Sequence, residues 1–175
     1  CIRDRKPPKL YDLTTLQREA NRVFGYTAKQ ALDYTQSLYE KKLTTYPRTD
    51  CRYLPEEQFG DTARIITALS GLEAVTAKAD SALRGPVWDT KKITAHHAII
   101  PTGEEPRSLT AQEKELYLMI AVQYFLQFYP PMLYEAQKIL ATIVETAWEA
   151  RGRMIIEPGW TGFAAEEDDE DLSLI

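Results

Sequence analysis

Apolar residues recur at helical spacing in two stripes near the start of the chain. Leu16, Ala20, Val23 and Phe24 form the first, and Gly25 ends it. Thr14 followed by Gln17 carries the Thr-x-x-Gln pattern of a capping box and predicts the helix start. Thr27 and Gln30 repeat that pattern at once, and Ala31, Leu32, Thr35, Leu38 and Tyr39 continue a second stripe up to Lys41-Lys42. Two lysines at that end suit the negative pole of a helix dipole. The segment ahead of both stripes, Cys1–Lys9, is predicted to be an extended lead-in, because Pro7-Pro8 blocks helix.

Beyond the helix pair, Leu43–Tyr46 is β-branched and aromatic and predicts a short strand that Pro47 stops. Leu54-Pro55-Glu56-Glu57 opens a third helix with Ile65, Ile66 and Leu69 on its apolar face and Gly71 as its stop. Leu72–Thr94 has no clear period and is read as loop or irregular helix. Thr110 and Glu113 make another capping box, launching a helix to Tyr129 that Pro130-Pro131 ends. Leu116, Ile120, Tyr124 and Leu126–Phe128 make it apolar enough to be a buried element. After Pro131 the period shortens towards two residues. Tyr134–Trp160 reads as a strand pair turning near Arg151-Gly152. The chain is thus predicted to be mainly α, of the α+β class. Residues 1–131 form a helical domain and residues 132–175 a partial β segment with an acidic end.

Composition narrows the class. An apolar fraction of 44% is that of an ordinary globular domain. No apolar run approaches a membrane span, and Cys1–Leu10 is too charged for a signal peptide. The first residue is Cys1 and not Met, which suggests a piece of a longer protein. Cys1 and Cys51 are too few for a disulfide scaffold and have no zinc spacing; two thiols fit a reducing cytoplasm. The net charge is −5, but its distribution is uneven. Residues 1–53 hold 11 Lys and Arg against 6 acids, whereas residues 157–175 hold 7 acids and no base. The basic third offers a footprint for a polyanion. The acidic run Glu166–Asp171 reads as solvated tail and not as a metal site.

Tyr46-Pro47-Arg48-Thr49-Asp50 carries the most specific chemistry. A tyrosine can attack a phosphodiester and hold the broken strand as a phosphotyrosine. Arg48, two residues on, is placed to clamp the phosphate as charge builds on its oxygens, and Asp50 to orient Arg48 or a histidine. His96-His97 falls short of a zinc ligand set; phosphate contact or proton transfer by one of the pair suits them better. On residue types alone two other readings stay open. The tyrosine is a packing residue, or the capped helices form a non-catalytic helix-turn-helix that holds DNA. A tyrosine recombinase would need its tyrosine near the C-terminus, and a relaxase a histidine triad.

Leu43–Asp50 resembles the active-site signature of type IA DNA topoisomerases, with Pro47 giving the Tyr-Pro-Arg form of the topoisomerase III and reverse gyrase branch. Pro7–Leu10 with Leu13–Gln17, Ala95–Thr102, and Arg151–Arg153 with Gly159-Trp160 resemble three further blocks of the family, in order. The resemblance implies a CAP-like winged-helix tyrosine domain followed by strands of an adjoining β arch. It implies that Tyr46 becomes joined to a 5′ phosphate, that Arg48 positions the scissile phosphate and that His96 assists religation. Thr45, Thr49 and Asp50 match polar neighbours at the DNA, as do Gln36 and Glu40 on the preceding helix; His97 falls where the family varies. Single-stranded or underwound DNA is the implied substrate, for relaxation or decatenation in a bacterial, nucleoid-associated cytoplasmic enzyme. The implied Mg2+ belongs to a Toprim domain of the same parent chain, whose Glu and Asp-x-Asp cluster has no match here. Alone, therefore, the chain is expected to be inactive.

Overall fold

The computed structural model describes residues 1–69, 79–143, 146–163 and 172–174. They fall into two compact units. A helical unit spans Pro8–Phe128, and a β unit combines Cys1–Pro7 with Tyr129–Ile175. The expected division at 131/132 differs from this at both ends of the helical part. Cys1–Pro7 leaves the helical unit because strand β1 (Ile2–Arg5) pairs antiparallel with β2 (Met132–Ile143) from Ile2↔Glu135 to Arg5↔Met132. Its strand character comes from a partner remote in sequence, which no local pattern reports.

In the helical unit, α1 (Leu13–Phe24) and α2 (Ala28–Glu40) are the predicted pair. The first helix starts at a different cap from the one expected. Asp12 accepts the Thr15 amide at 2.7 Å, and Thr15 Oγ1 accepts the Asp12 amide. An aspartate caps as well as a threonine, and this choice lets Leu13 donate its amide to Thr49 O. Gly25, at φ +72°, closes α1 in the left-handed conformation that glycine tolerates best. Thr27 and Gln30 cap α2 as expected. Caps are worth about 1 kcal/mol each. Complete burial of Leu16 and Leu38 contributes about 2 kcal/mol apiece, so packing rather than capping fixes the pair.

The third predicted helix begins as a 3-10 turn, Glu56–Asp61, and becomes α3 only over Thr62–Ala68. Its expected stop at Gly71 lies outside the described residues, as does part of Leu72–Thr94. The longest helix, α4 (Ala111–Phe125), starts at the predicted Thr110 cap and tightens to a 3-10 turn over Leu126–Phe128 before the prolines. Leu116, Ile120, Tyr124, Phe125 and Phe128 are almost wholly buried, making it the centre of the core. Leu43–Tyr46 is not a strand. Thr44 makes one isolated antiparallel bridge, to Pro101. The bonds flanking that bridge are made, but the Ile100 amide goes to the Thr45 hydroxyl and not to the Thr45 carbonyl, so the ladder does not grow. Among the described residues of this unit the β contacts are isolated bridges, without the strands of a wing.

The β unit is a four-stranded antiparallel sheet in chain order, β1-β2-β3-β4, with β3 at Thr146–Glu157 and β4 at Leu172–Leu174. The hairpin pairs down to Ile143↔Thr146, so it does not turn at Arg151-Gly152 as expected. Gly152 lies within β3 opposite Gln137, at an ordinary negative φ. Gly159 is the residue whose φ of +50° turns the chain out of β3. Beyond it, Trp160 donates Nε1 to Arg5 O at 2.8 Å and its amide to Pro130 O at 3.1 Å. The acidic run Glu166–Asp171 lies outside the described residues. No described helix is long and apolar enough to cross a membrane.

Candidate active site

The segment Leu43–Cys51 follows α2 and is laid against residues 96–102. Thr45 donates its amide to Ile100 O at 3.0 Å, and Thr102 donates to Leu43 O at 3.1 Å. Thr45 Oγ1 adds two bonds, donating to Ala98 O at 2.9 Å and accepting from Ile100 N at 3.0 Å. Thr49 Oγ1, nearly buried, donates to His96 O at 3.3 Å and accepts from Cys51 N at 3.1 Å. These hydroxyls are occupied in joining two chain segments. Thr45 and Thr49, expected among the DNA contacts, act here on the backbone that carries the histidines.

That clamp brings Tyr46 to His96, with ring centroids 4.5 Å apart. On its other flank Tyr46 meets the edge of Tyr39, from the last turn of α2, at 5.5 Å and 79°. The Tyr46 ring is half-buried between them, and its hydroxyl makes no hydrogen bond among the described residues. Arg48 and Asp50 are exposed, with neither a hydrogen bond nor an ion pair among the described residues, so the guanidinium is uncommitted. Asp50 does not orient Arg48 in this arrangement. Gln36 and Glu40 occupy successive turns of α2, with Gln36 Nε2 donating to Glu40 Oε1 at 3.1 Å. Tyr39 was missed by sequence reasoning, which used it only as part of a helical stripe. It is 39% exposed at the helix end, just ahead of the Tyr46 loop, and nothing in the helical pattern marked it for the site.

His97 points away from this grouping. Its Nδ1 lies 2.9 Å from Ala98 O, which selects the tautomer with the proton on Nδ1. It helps line a cavity of about 190 Å³ with Gln58, Asp61, Arg64 and Tyr124. Thus the structure gathers Tyr46, His96 and Tyr39, leaves Arg48, two residues along from Tyr46, without a partner among the described residues, and separates the two histidines. Among the described residues no group of three or more His, Cys, Asp or Glu side chains could hold a metal ion.

The outward face of α2 bears on the helix-turn-helix alternative. Lys29 is paired with Asp33 at 2.5 Å and Gln36 with Glu40, so acids offset its basic side. Its opposite face is tied to α4 through Glu113. That carboxylate takes Lys41 Nζ at 2.7 Å, the Ser37 hydroxyl and the Thr110 amide. First the Lys41 ammonium and then the Ser37 hydroxyl pull the Glu113 carboxyl down from its ordinary value near 4.5 to about 2.

DNA topoisomerase 3 of Vibrio cholerae is 40% identical over 94% of this chain, and that of Haemophilus influenzae 41% over 94%. The Bacillus subtilis protein of the same name is 39% identical over 93%. The chain spans about a quarter of the length of these relatives: 26%, 26% and 24%. Full-length topoisomerase I from Thermotoga maritima shares the fold, with a TM-score of 0.67 over 100% of this chain and 30% of that one, at 21% identity. The family model described as DNA topoisomerase matches residues 2–174, and the chain belongs to that family.

Proposed function

We propose that the chain supplies the strand-cleaving tyrosine of a longer type IA DNA topoisomerase that breaks one DNA strand, passes another and reseals the break. The observation that carries this reading is the Tyr46 ring, held against His96, with Arg48 two residues on and unpaired among the described residues. Tyr46 Oη attacks the phosphorus of a phosphodiester, the bond from phosphorus to the 3′ oxygen breaks, and a 5′-phosphotyrosine forms. Arg48 meets the phosphate oxygens as a bidentate fork while charge builds on them. His96 contacts the same phosphate and assists the return attack of the 3′ hydroxyl. Gln36, Glu40 and Asp50 border the strand.

The phenolic proton is lost to solvent or to a neighbouring base. The acid that protonates the departing 3′ oxygen comes from a Toprim domain of the same parent chain, which also holds Mg2+. No step above runs through that ion. Single-stranded or underwound DNA is the substrate, the outcome is relaxation or decatenation, and the enzyme works at the bacterial nucleoid in the cytoplasm.

The test uses the full-length enzyme and single-stranded DNA labelled at its 3′ end. The wild type should carry the label on a denaturing gel, because the phosphate at the cut stays on the protein. Tyr46→Phe should carry none, with unchanged melting. An adduct of normal yield in Tyr46→Phe would sink the reading. Incubating this chain alone with the same DNA and Mg2+ should give no adduct.

A further inference from the structure

Further along the chain from Tyr46, past Thr49–Cys51, lies a second grouping that the cleavage chemistry leaves unused. The Tyr53 ring is flanked by two ammonium groups, Lys9 Nζ at 5.0 Å and Lys92 Nζ at 4.7 Å from its centroid. Lys9 is exposed and has no carboxylate partner among the described residues. Its backbone is nevertheless held. Arg52 reaches back to donate Nε to Leu10 O at 2.8 Å and Nη2 to Lys9 O at 3.2 Å. Lys92 pairs with Asp89 at 2.9 Å, and Lys91 beside it is exposed. Two ammonium groups thus flank one aromatic ring, and one carboxylate, Asp89, pairs with the second of them.

Two like charges held at one ring repel each other unless an anion joins them. The Tyr53 hydroxyl already answers in part: its pKa is lowered, first by its hydrogen bond from Lys9 and then by the charges of Lys9 and Lys92. The Asp89–Lys92 pair is exposed, and exposed pairs are worth about 1 kcal/mol or less, so Lys92 can exchange its partner. The grouping also has a fixed relation to the site. Tyr53 O accepts the Ala98 amide at 2.9 Å, and Thr49 Oγ1 donates to His96 O. One run of chain, residues 46–53, therefore carries Tyr46 and Arg48 at one end and Tyr53 at the other. Residues 96–98 tie both ends together.

We propose that Lys9, Tyr53 and Lys92 form a phosphate-binding platform for single-stranded DNA, engaging the strand's backbone a short way from the phosphate that Tyr46 attacks. This rests on the reading of Tyr46 given above and names a second contact for the same strand. The platform reads charge and not sequence. Its ligand is a phosphodiester of a flexible single strand, which can follow the bend between the two ends of residues 46–53.

Counterion release gives a quantitative test. Each phosphate neutralised on a single strand contributes about 0.7 to the slope of log affinity against log salt. The probe is oligothymidylate, titrated into this chain at several salt concentrations. The double variant Lys9→Gln, Lys92→Gln should bind more weakly at low salt. Its slope should be shallower by about 0.7, for the one phosphate that the platform holds, and the gap from wild type should close as salt rises. Lys29→Gln, which removes an exposed lysine from the outward face of α2, should leave the slope unchanged.

An unchanged slope in the double variant, or an equal loss in Lys29→Gln, would overturn the platform. The second result would favour α2 as the DNA-reading helix. Failure of the wild-type chain to bind oligothymidylate would remove both this surface and the DNA reading. Normal wild-type binding with an indifferent double variant would remove the surface alone. Tyr53→Phe keeps the ring and loses the hydroxyl, and should weaken binding less than the double variant.

Discussion

The rings of Tyr46 and His96 meet at 4.5 Å and 42°, although neither side chain bonds the other. What sets that separation is Thr45, whose hydroxyl is both donor to Ala98 O and acceptor from Ile100 N. Thr45→Val keeps the shape and removes both bonds, leaving the buried Ile100 amide without its partner and Ala98 O with His97 Nδ1 alone. It should cost about 1–3 kcal/mol in urea unfolding. In the full-length enzyme it should also lower the yield of DNA adduct while Tyr46 is intact. Thr45→Ser restores a hydroxyl and should recover most of both. A Thr45→Val variant as stable and active as wild type would show that the clamp does not position the rings.

Arg48 is expected to behave in the opposite way. It is exposed and without an ion pair among the described residues, so Arg48→Ala should move stability by no more than about 0.5 kcal/mol. Its effect should fall on the chemistry. Loss of a preorganised cation at a phosphate should slow adduct formation in the full-length enzyme by about 10²–10³-fold. Arg48→Lys should recover only part, since an ammonium cannot form the two-pronged contact. Single-turnover adduct kinetics and a thermal melt of each variant separate the two effects. A large drop in melting temperature with normal kinetics would make Arg48 structural.

What the sequence made legible was whatever depends on neighbours in the chain. The Thr27 and Thr110 caps, the Gly25 stop and the buried stripe of α4 each follow from residues within a few turns, and each is found. Tyr46 and His96 were legible as motifs, yet the contact between them was not, because it depends on the hydroxyls of Thr45 and Thr49 reaching a remote segment. The same holds for β1, which is a strand only because β2 lies beside it. The misplaced hairpin turn has another cause. Ile139 and Leu140 are 64% and 67% exposed, and Trp148 is 43% exposed, so apolar residues do not mark an inner face there. Without that alternation, Gly152 was the only visible punctuation.

Gly159 offers a sharper test of the β unit. A Cβ at this position would lie 2.5 Å from both Pro130 O and Pro131 O, and the backbone is at φ +50°. Gly159→Ala should therefore destabilise the unit by about 2–4 kcal/mol, combining left-handed strain with overpacking. Hydrogen exchange at β2 and β3 amides should quicken while α1, α2 and α4 stay protected. Gly159→Asn separates the two causes. Asparagine accepts a positive φ better than alanine but carries the same Cβ. It should be nearly as damaging; a well-tolerated asparagine would mean that only the dihedral mattered.

Glu113 makes stability depend on pH in a direction that follows from its surroundings. Its carboxyl is lowered from near 4.5 to about 2 by Lys41 and then Ser37. In the interval between those values the unfolded chain binds more protons than the folded one, so stability rises with pH across it. The contribution is complete above the unfolded value and is lost as pH falls through about 2. Lys41 is partly exposed, 36% of its side chain, which weakens the pair relative to a fully buried one. Glu113→Gln should then cost about 1–3 kcal/mol at neutral pH. The variant should lose less stability than wild type on acidification, and the two curves should converge towards pH 2. Urea unfolding of both proteins from pH 7 to pH 2 measures this. Parallel curves over that range would mean that the Lys41–Glu113 contact contributes nothing to holding α2 on α4, and that apolar packing alone sets the platform from which Tyr39 reaches Tyr46.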